Sequence, residues 1–162
     1  MINKPLLFLN AALILFVVGH SDVVRAGTVR SGGQILFANN STIVGSQFHA
    51  HLDELANLLL SSPELTVLLI GHSDQTAASD RAYNKRLSLN RANSVKNFLM
   101  RKGVQGDRIE VSTAGFDAPI ANNNSPLGRA QNRRVEIKIV NATPQPMTDI
   151  LAPPQPLSPL MR

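Results

Sequence analysis

The sequence predicts an α/β (α+β) sandwich, with helices packed on a mixed sheet in the order β-α-β-α-β-β. Three observations predict it. Two stretches carry apolar residues at helical spacing. Four short runs are continuously apolar or alternate. Helical and strand-like stretches follow one another along the chain, with turn residues between them.

Residues 34–37 (QILF), entered through Gly32-Gly33, read as the first strand. Phe48, Leu52, Leu55 and Leu59 then form one helical stripe, and Pro63 lies just beyond its end. Residues 65–70 (LTVLLI) form a continuous apolar run, as expected of a strand buried on both faces. The second helix is expected over residues 84–102, with Leu87, Val95, Phe98 and Leu99 on its apolar side and Gly103 as its stop. Residues 108–113 and 134–140 (RVEIKIV) alternate as strands. Between them, residues 115–129 carry Pro119, three consecutive asparagines and Pro126, which predicts a loop.

A length of 162 residues gives one domain, here residues 34–140. Lys4 precedes an apolar run over residues 6–18 that is shorter than the roughly 20 residues of a membrane span. Val24-Arg25-Ala26 follows with a small residue at the exit, so residues 1–26 are expected to be a signal peptide cleaved after Ala26. An uncleaved anchor is the competing reading, and in both cases the domain is exported. Residues 27–33 are expected to be a short linker. Six of the ten prolines fall between Pro144 and Pro159, so residues 141–162 read as a Pro-rich flexible tail.

Composition excludes several functions. With no Cys there is no disulfide framework, thiolate metal site, Cys nucleophile or lipid anchor on an N-terminal Cys. An eight-stranded transmembrane barrel together with this domain does not fit the length. The formal net charge of +5 favours an anionic partner, and its distribution is uneven. Residues 31–80 hold five acids and no Lys or Arg, whereas residues 81–138 hold twelve Lys or Arg against four acids. Two halves of opposite sign can pair with each other, or can grip a zwitterionic ligand where they meet.

Gly-His-Ser-Asp occurs at residues 19–22 and 71–74, and only the second copy is followed by a helix with matching residues. Its Ser73 resembles half of a hydrolase nucleophile elbow, but Gln75 stands where the elbow needs Gly, and no His follows His72 to act as base. His49, His51, Asp53 and Glu54 could suggest a metal site. On a helix, however, His49 and His51 do not share a face, so a solvated helix face is expected and no metal. The basic half offers only Tyr83, Phe98 and Phe116 for stacking on bases, and an exported protein rarely meets nucleic acid, so no nucleic acid is expected either.

The chemistry-bearing stretch is residues 71–91. Asp74 lies in the loop after the central strand, and Asn84, Leu87, Ser88 and Arg91 stand at one helical face two turns long. A guanidinium at the border of an apolar stripe needs an anion, which it can bind through two parallel N–H···O bonds. Spacing leaves two readings open: a ligand carboxylate, or Asp74 itself.

Gly71-His72-Ser73-Asp74, Tyr83-Asn84, Leu87-Ser88, Arg91-Ala92, Pro119-Ile120-Ala121-Asn122, Gly128-Arg129-Ala130 and Asn132-Arg133-Arg134-Val135-Glu136-Ile137 together resemble the OmpA-like C-terminal domain, a peptidoglycan-binding module. The resemblance covers residues 34–140. It implies non-catalytic binding of peptidoglycan through the free end of meso-diaminopimelate in the peptide stem. By motif position, Asp74 takes the ammonium group and Arg91 the carboxylate, with Asn84 and Arg133 in support. No enzymatic activity and no cofactor are implied. The implied location is the periplasm, wall-associated at the outer-membrane side, or the inner membrane if the N-terminal segment is an uncleaved anchor. The sequence departs from the family in a longer, glycine-free segment over residues 75–82, and in Ser73 where Thr is more usual. An interaction adaptor that keeps the fold and uses its Pro-rich tail on a protein partner is the alternative function.

Overall fold

The computed structural model describes residues 28–76 and 79–141. The expected signal peptide and the Pro-rich segment after Asn141 lie outside the described residues. The elements run β1 (Thr28–Leu36), α1 (His49–Ser61), β2 (Leu65–His72), α2 (Arg81–Arg101), β3 (Ile109–Gly115), α3 (Pro126–Asn132) and β4 (Arg134–Asn141). Short 3₁₀ turns precede α1 at Ser46–Phe48 and β3 at Gly106–Arg108.

The four strands form one mixed sheet in the order β1-β4-β2-β3. β4 runs antiparallel to both β1 and β2, and β3 runs parallel to β2. The C-terminal ends of β1, β2 and β3 therefore lie at the same end of the sheet as the N-terminal end of β4. Every loop that matters for the site leaves from that end.

One cluster of buried side chains joins the helices to the sheet. Leu52, Leu55, Ala56 and Leu59 come from α1, and Ala92, Val95, Phe98 and Leu99 from α2. From the strands come Ile35, Leu65, Val67, Leu69, Ile109, Val135, Ile137 and Ile139. Burying a side chain of this kind stabilises by about 1.5–3 kcal/mol before the entropy of ordering it is charged. Helix ends are set by polar residues. Asp80 caps α2 by accepting from the Tyr83 amide at 2.6 Å, and Ser125 caps α3 by accepting from the Gly128 amide at 3.0 Å, with Pro126 opening the helix.

The structure corrects the expectations along the chain. Residues 28–33, expected as a linker, belong to β1, whose register with β4 shifts between Ser31 and Gln34. The Gly32-Gly33 pair that reads as a strand entry is the bulge itself, with Gly33 at φ +90°, a conformation that favours glycine. Asn141, expected to begin the tail, ends β4 and is paired in register with Thr28 and Leu65. The segment expected to be a loop holds α3, a helix too short for an apolar stripe to announce it. In β2, Leu65, Val67 and Leu69 are buried but Thr66, Leu68 and Ile70 only half-buried, because the helices cover one face of the sheet. The register sets Leu68 opposite Lys138 and Ile70 opposite Glu136, so long charged side chains border these residues on the other face.

Candidate functional site

Four segments meet at the shared end of the sheet: residues 37–41 after β1, residues 72–76 from the end of β2 onward, the N-terminal half of α2, and Arg133 with the first residues of β4. Close approach of α2 to β2 depends on Gly71, where a Cβ atom would stand 1.9 Å from the Ser88 carbonyl oxygen. No side chain fits there, which gives the glycine of the Gly-His-Ser-Asp motif a packing role.

Arg91 is fully buried, with no exposed surface. Its guanidinium donates to three backbone carbonyls: Nε to Ser41 at 2.9 Å, Nη1 to His72 at 3.1 Å and Nη2 to Ala38 at 3.2 Å. It also lies 5.5 Å from the centre of the Phe37 ring. Burial pulls its pKa down to about 10; the charge of Asp74 opposes the shift and that of Arg133 adds to it. The group remains charged at neutral pH. It holds the loop after β1 against the end of β2.

Asp74 pairs with Arg133 rather than with Arg91: Arg133 Nη1 lies 3.2 Å from Asp74 Oδ2, with side-chain exposures of 14% and 13%. Arg133 also donates through Nε to the Phe37 carbonyl at 3.2 Å, so it too ties the β1 loop into the site. Of the two readings that spacing leaves open for Arg91, the pairing with Asp74 is replaced by bonds to carbonyls. Arg91 does tie helix to loop, but through the backbone.

Asn84 is buried and donates from Nδ2 to the Asp80 carbonyl at 2.8 Å, which braces the first turn of α2. Ser88, expected on the same face, turns toward the sheet instead, with its Oγ 2.5 Å from Thr113 Oγ1. Leu87 is half-buried. The helical face therefore divides, with Ser88 directed to β3 and Arg91 to the loops after β1 and β2.

Several supporting residues were not singled out from the sequence. Asn132 is fully buried; its Oδ1 accepts from the amides of Ile120 and Ala121, and its Nδ2 donates to the Ala121 carbonyl and to Asn123 Oδ1. Asn123 Oδ1 in turn accepts from the Gln75 amide at 3.0 Å, the residue after Asp74. This chain of amides fixes the start of the long glycine-free segment. On the other side, the Tyr83 hydroxyl donates to Asn40 Oδ1 and links α2 to the β1 loop. Asn132 and Tyr83 lie inside motifs quoted above, and only the asparagine turn at 39–40 hints at the β1 loop.

A second cluster of titratable side chains is built around His72, two residues before Asp74. His72 is 4% exposed, with Nε2 3.4 Å from Glu136 Oε1. Burial and then the charge of Arg134 lower its pKa to about 4, with Glu136 opposing, so the ring is neutral at pH 7. Arg134 is buried and gives Nε and Nη2 to Glu136 Oε1 at 3.1 and 2.5 Å. Burial raises the Glu136 carboxyl, but Arg134 overcomes it and holds the group below its ordinary value. Ser73 is 2% exposed and its Oγ has no hydrogen-bond partner among the described residues. An elbow nucleophile needs an accessible hydroxyl bonded to a base; this one has neither.

Three of the four residues weighed for a metal are otherwise engaged. His49 packs against Phe98 with ring centroids 5.1 Å apart, His51 Nε2 bonds the Gly32 carbonyl oxygen at 2.8 Å, and Asp53 pairs with Lys102 at 2.7 Å. Among the described residues no three His, Cys, Asp or Glu side chains gather into a metal-binding group. No described helix is long and apolar enough to cross a membrane.

Known proteins resemble the chain both in sequence and in structure. In sequence, the chain is 35% identical over 119 residues to the Peptidoglycan-binding protein ArfA of Mycobacterium tuberculosis, covering 74% of this chain and 36% of that protein. It is 41% identical over 91 residues to Outer membrane protein A of Bordetella avium, covering 56% and 46%. The chain thus spans less than half the length of these relatives. In structure, it matches the peptidoglycan-associated lipoprotein of Burkholderia pseudomallei with a TM-score of 0.62 and 29% identity, covering 65% of this chain and 88% of that one. It matches the cell wall anchor of the T6SS from Pseudomonas aeruginosa with a TM-score of 0.55 and 34% identity, covering 76% and 86%. The family model described as the OmpA family matches residues 36–133, a span that runs from the end of β1 to Arg133 and takes in Asp74, Asn84 and Arg91. The chain belongs to the OmpA family.

Proposed function

We propose that this chain is a non-catalytic binder of cell-wall peptidoglycan, and that its site receives the zwitterionic diaminopimelate end of the peptide stem. The observation that carries the reading is the Asp74–Arg133 ion pair at 3.2 Å, set beside the buried charge of Arg91. A ligand end bearing one ammonium and one carboxylate can exchange into such a pair without leaving either protein charge unmatched. Its ammonium takes the place of Arg133 at Asp74, and its carboxylate meets the guanidiniums. Arg133, at the rim, is the one able to move; Arg91 supplies fixed positive charge behind it. Asn84 contributes by bracing the turn of α2 that faces the site. The cost of desolvating the new pair is offset by breaking one of the same kind.

The names of the relatives support the polymer. One is called peptidoglycan-binding, one a peptidoglycan-associated lipoprotein and one a cell wall anchor. With the signal-like N-terminus, this favours a periplasmic, wall-associated protein on the outer-membrane side.

Sedimentation with insoluble sacculi tests the reading. The full chain should sediment with sacculi containing diaminopimelate and stay in the supernatant with sacculi that lack it. Asp74→Asn should weaken binding roughly ten- to a hundredfold, the worth of one charged hydrogen bond of about 1.5–3 kcal/mol. Equal sedimentation with both kinds of sacculi, or undiminished binding by Asp74→Asn, would overturn the diaminopimelate clamp.

A further inference from the structure

We infer that a cavity on the β3 side of α2 is a second subsite, which takes a carboxylate of the same stem peptide outside its diaminopimelate end. The inference rests on the clamp reading above and extends it. The cavity holds about 200 Å³ and lies between the first turn of α2 and the end of β3, lined by Arg81, Lys85, Phe116, Asp117 and the backbone around Gly115. That volume is below the roughly 300 Å³ at which small-molecule sites begin, which suits one group of a larger ligand rather than a whole one.

Its chemistry selects an anion. Arg81 and Lys85 stand one helical turn apart and so share a face. Arg81 lies 4.8 Å from the centre of the Phe116 ring and gives Nη1 to both oxygens of Asp117, at 2.5 and 2.6 Å. Asp117 thereby fixes the guanidinium over the ring and neutralises it. Lys85 has no carboxylate partner among the described residues and is exposed, so the cavity keeps one unmatched positive charge. Phe116 adds an apolar wall against which the aliphatic part of an acidic residue can lie.

Its position selects the same ligand. The Ser73 amide donates to the Gly115 carbonyl at 2.7 Å, which places the end of β3 directly beside the residue that precedes Asp74. β2 and β3 are adjacent strands, so the cavity lies about 5–10 Å across the sheet end from the clamp. Lys85 follows Asn84 on α2 and turns to the β3 side as Arg91 turns to the clamp side. In a stem where glutamate is joined to diaminopimelate through its γ-carboxyl, the glutamate α-carboxylate is free and one residue away. An extended residue spans about 3.3–3.6 Å, and the γ-linkage lengthens it, so that carboxylate reaches this distance.

Calorimetric titration of the full chain with two synthetic peptides tests the subsite. One is N-acetyl-γ-glutamyl-diaminopimelate with a free α-carboxylate on glutamate; the other is its α-amide. The acid is expected to bind about tenfold more tightly than the amide. Lys85→Gln should remove that preference while leaving affinity for the amide and the thermal midpoint unchanged, and Lys85→Arg should retain it. Equal affinity of the wild-type chain for acid and amide overturns the subsite and leaves the clamp standing. A preference that survives Lys85→Gln overturns its assignment to this cavity. If neither peptide binds, the clamp reading has failed, and the subsite fails with it.

Discussion

Arg91 and Arg133 carry the same group into the same site, and their surroundings make them different tools. Arg91 is sealed from solvent and has given three donors to the carbonyls of Ala38, Ser41 and His72. Arg133 stands at the rim, gives one donor to the Phe37 carbonyl and holds Asp74 through an ion pair that water can reach. A guanidinium bonded to backbone from three directions cannot leave without freeing the loop after β1 from the end of β2. One that pairs with a side chain can exchange its partner. Positive charge in this site thus has a fixed part and a rim part, and on the proposed clamp reading a zwitterion would use both.

The hardest way to break that comparison is to remove the fixed part. Arg91→Ala should destabilise the domain by about 3–5 kcal/mol, because three carbonyls lose a charged donor and Asp74 loses a neighbouring charge. The thermal midpoint, read by circular dichroism, should fall by more than ten degrees, taking about 4–8 °C per kcal/mol for a domain of this size. Loss of wall binding in this variant therefore says little about ligand contact. A midpoint within two degrees of wild type, on that same scale, would show that Arg91 is not structural and would erase its difference from Arg133.

Acid should act on His72, at the end of β2, and by less. The His72 imidazole has a folded pKa of about 4 against an ordinary value of 6.5, so between these values the unfolded chain binds the proton that the folded chain refuses. Stability is full above pH 6.5 and falls as pH drops toward 4, by at most about 3 kcal/mol. Glu136, held below its ordinary value by Arg134, adds a further loss as the pH drops beneath the carboxylate range. Thermal melts from pH 7 to pH 4 should show the decline, and His72→Gln should flatten the part between 6.5 and 4. A wild-type midpoint that does not move over that range would mean the imidazole is not held neutral by its surroundings.

How much of this could be read from the chain depends on range. The two long helices and the three strands that follow the first were legible because periodicity is local, and the placing of Asp74 and Arg91 near one another because motif and charge coincide. The partners of those two residues were not. Nothing in the spacing of Arg91 says that its donors go to Ala38, Ser41 and His72, since two of these lie about fifty residues upstream, on a loop with no periodic signal. The sequence likewise showed opposite charge in its two halves but not the pairing. Two of the upstream acids, Asp53 and Asp74, meet Lys102 and Arg133 across the fold. The bulge in β1 was mistaken for a linker because Gly-Gly marks a turn and an irregular strand alike. The open face of β2 was missed because a continuous apolar run does not say how many of its faces are covered.

The finest test of the two guanidiniums separates stability from binding at the movable one. Arg133→Gln keeps a donor near the Phe37 carbonyl and removes the charge. Asp74 then retains the neighbouring positive charge of Arg91 and some solvent, so the loss of stability should be only about 1–2 kcal/mol. If the clamp reading holds, binding to sacculi should fall by at least tenfold in the same protein, since the ligand carboxylate has lost its mobile partner. A double-mutant cycle with Asp74→Asn sharpens the result. Removing both ends of the pair should restore part of the stability lost in the single variants, because no unmatched charge remains, and should restore no binding. Should Arg133→Gln unfold the domain as readily as Arg91→Ala, the rim pair would be as structural as the buried one. The site would then hold no movable charge for a ligand to displace.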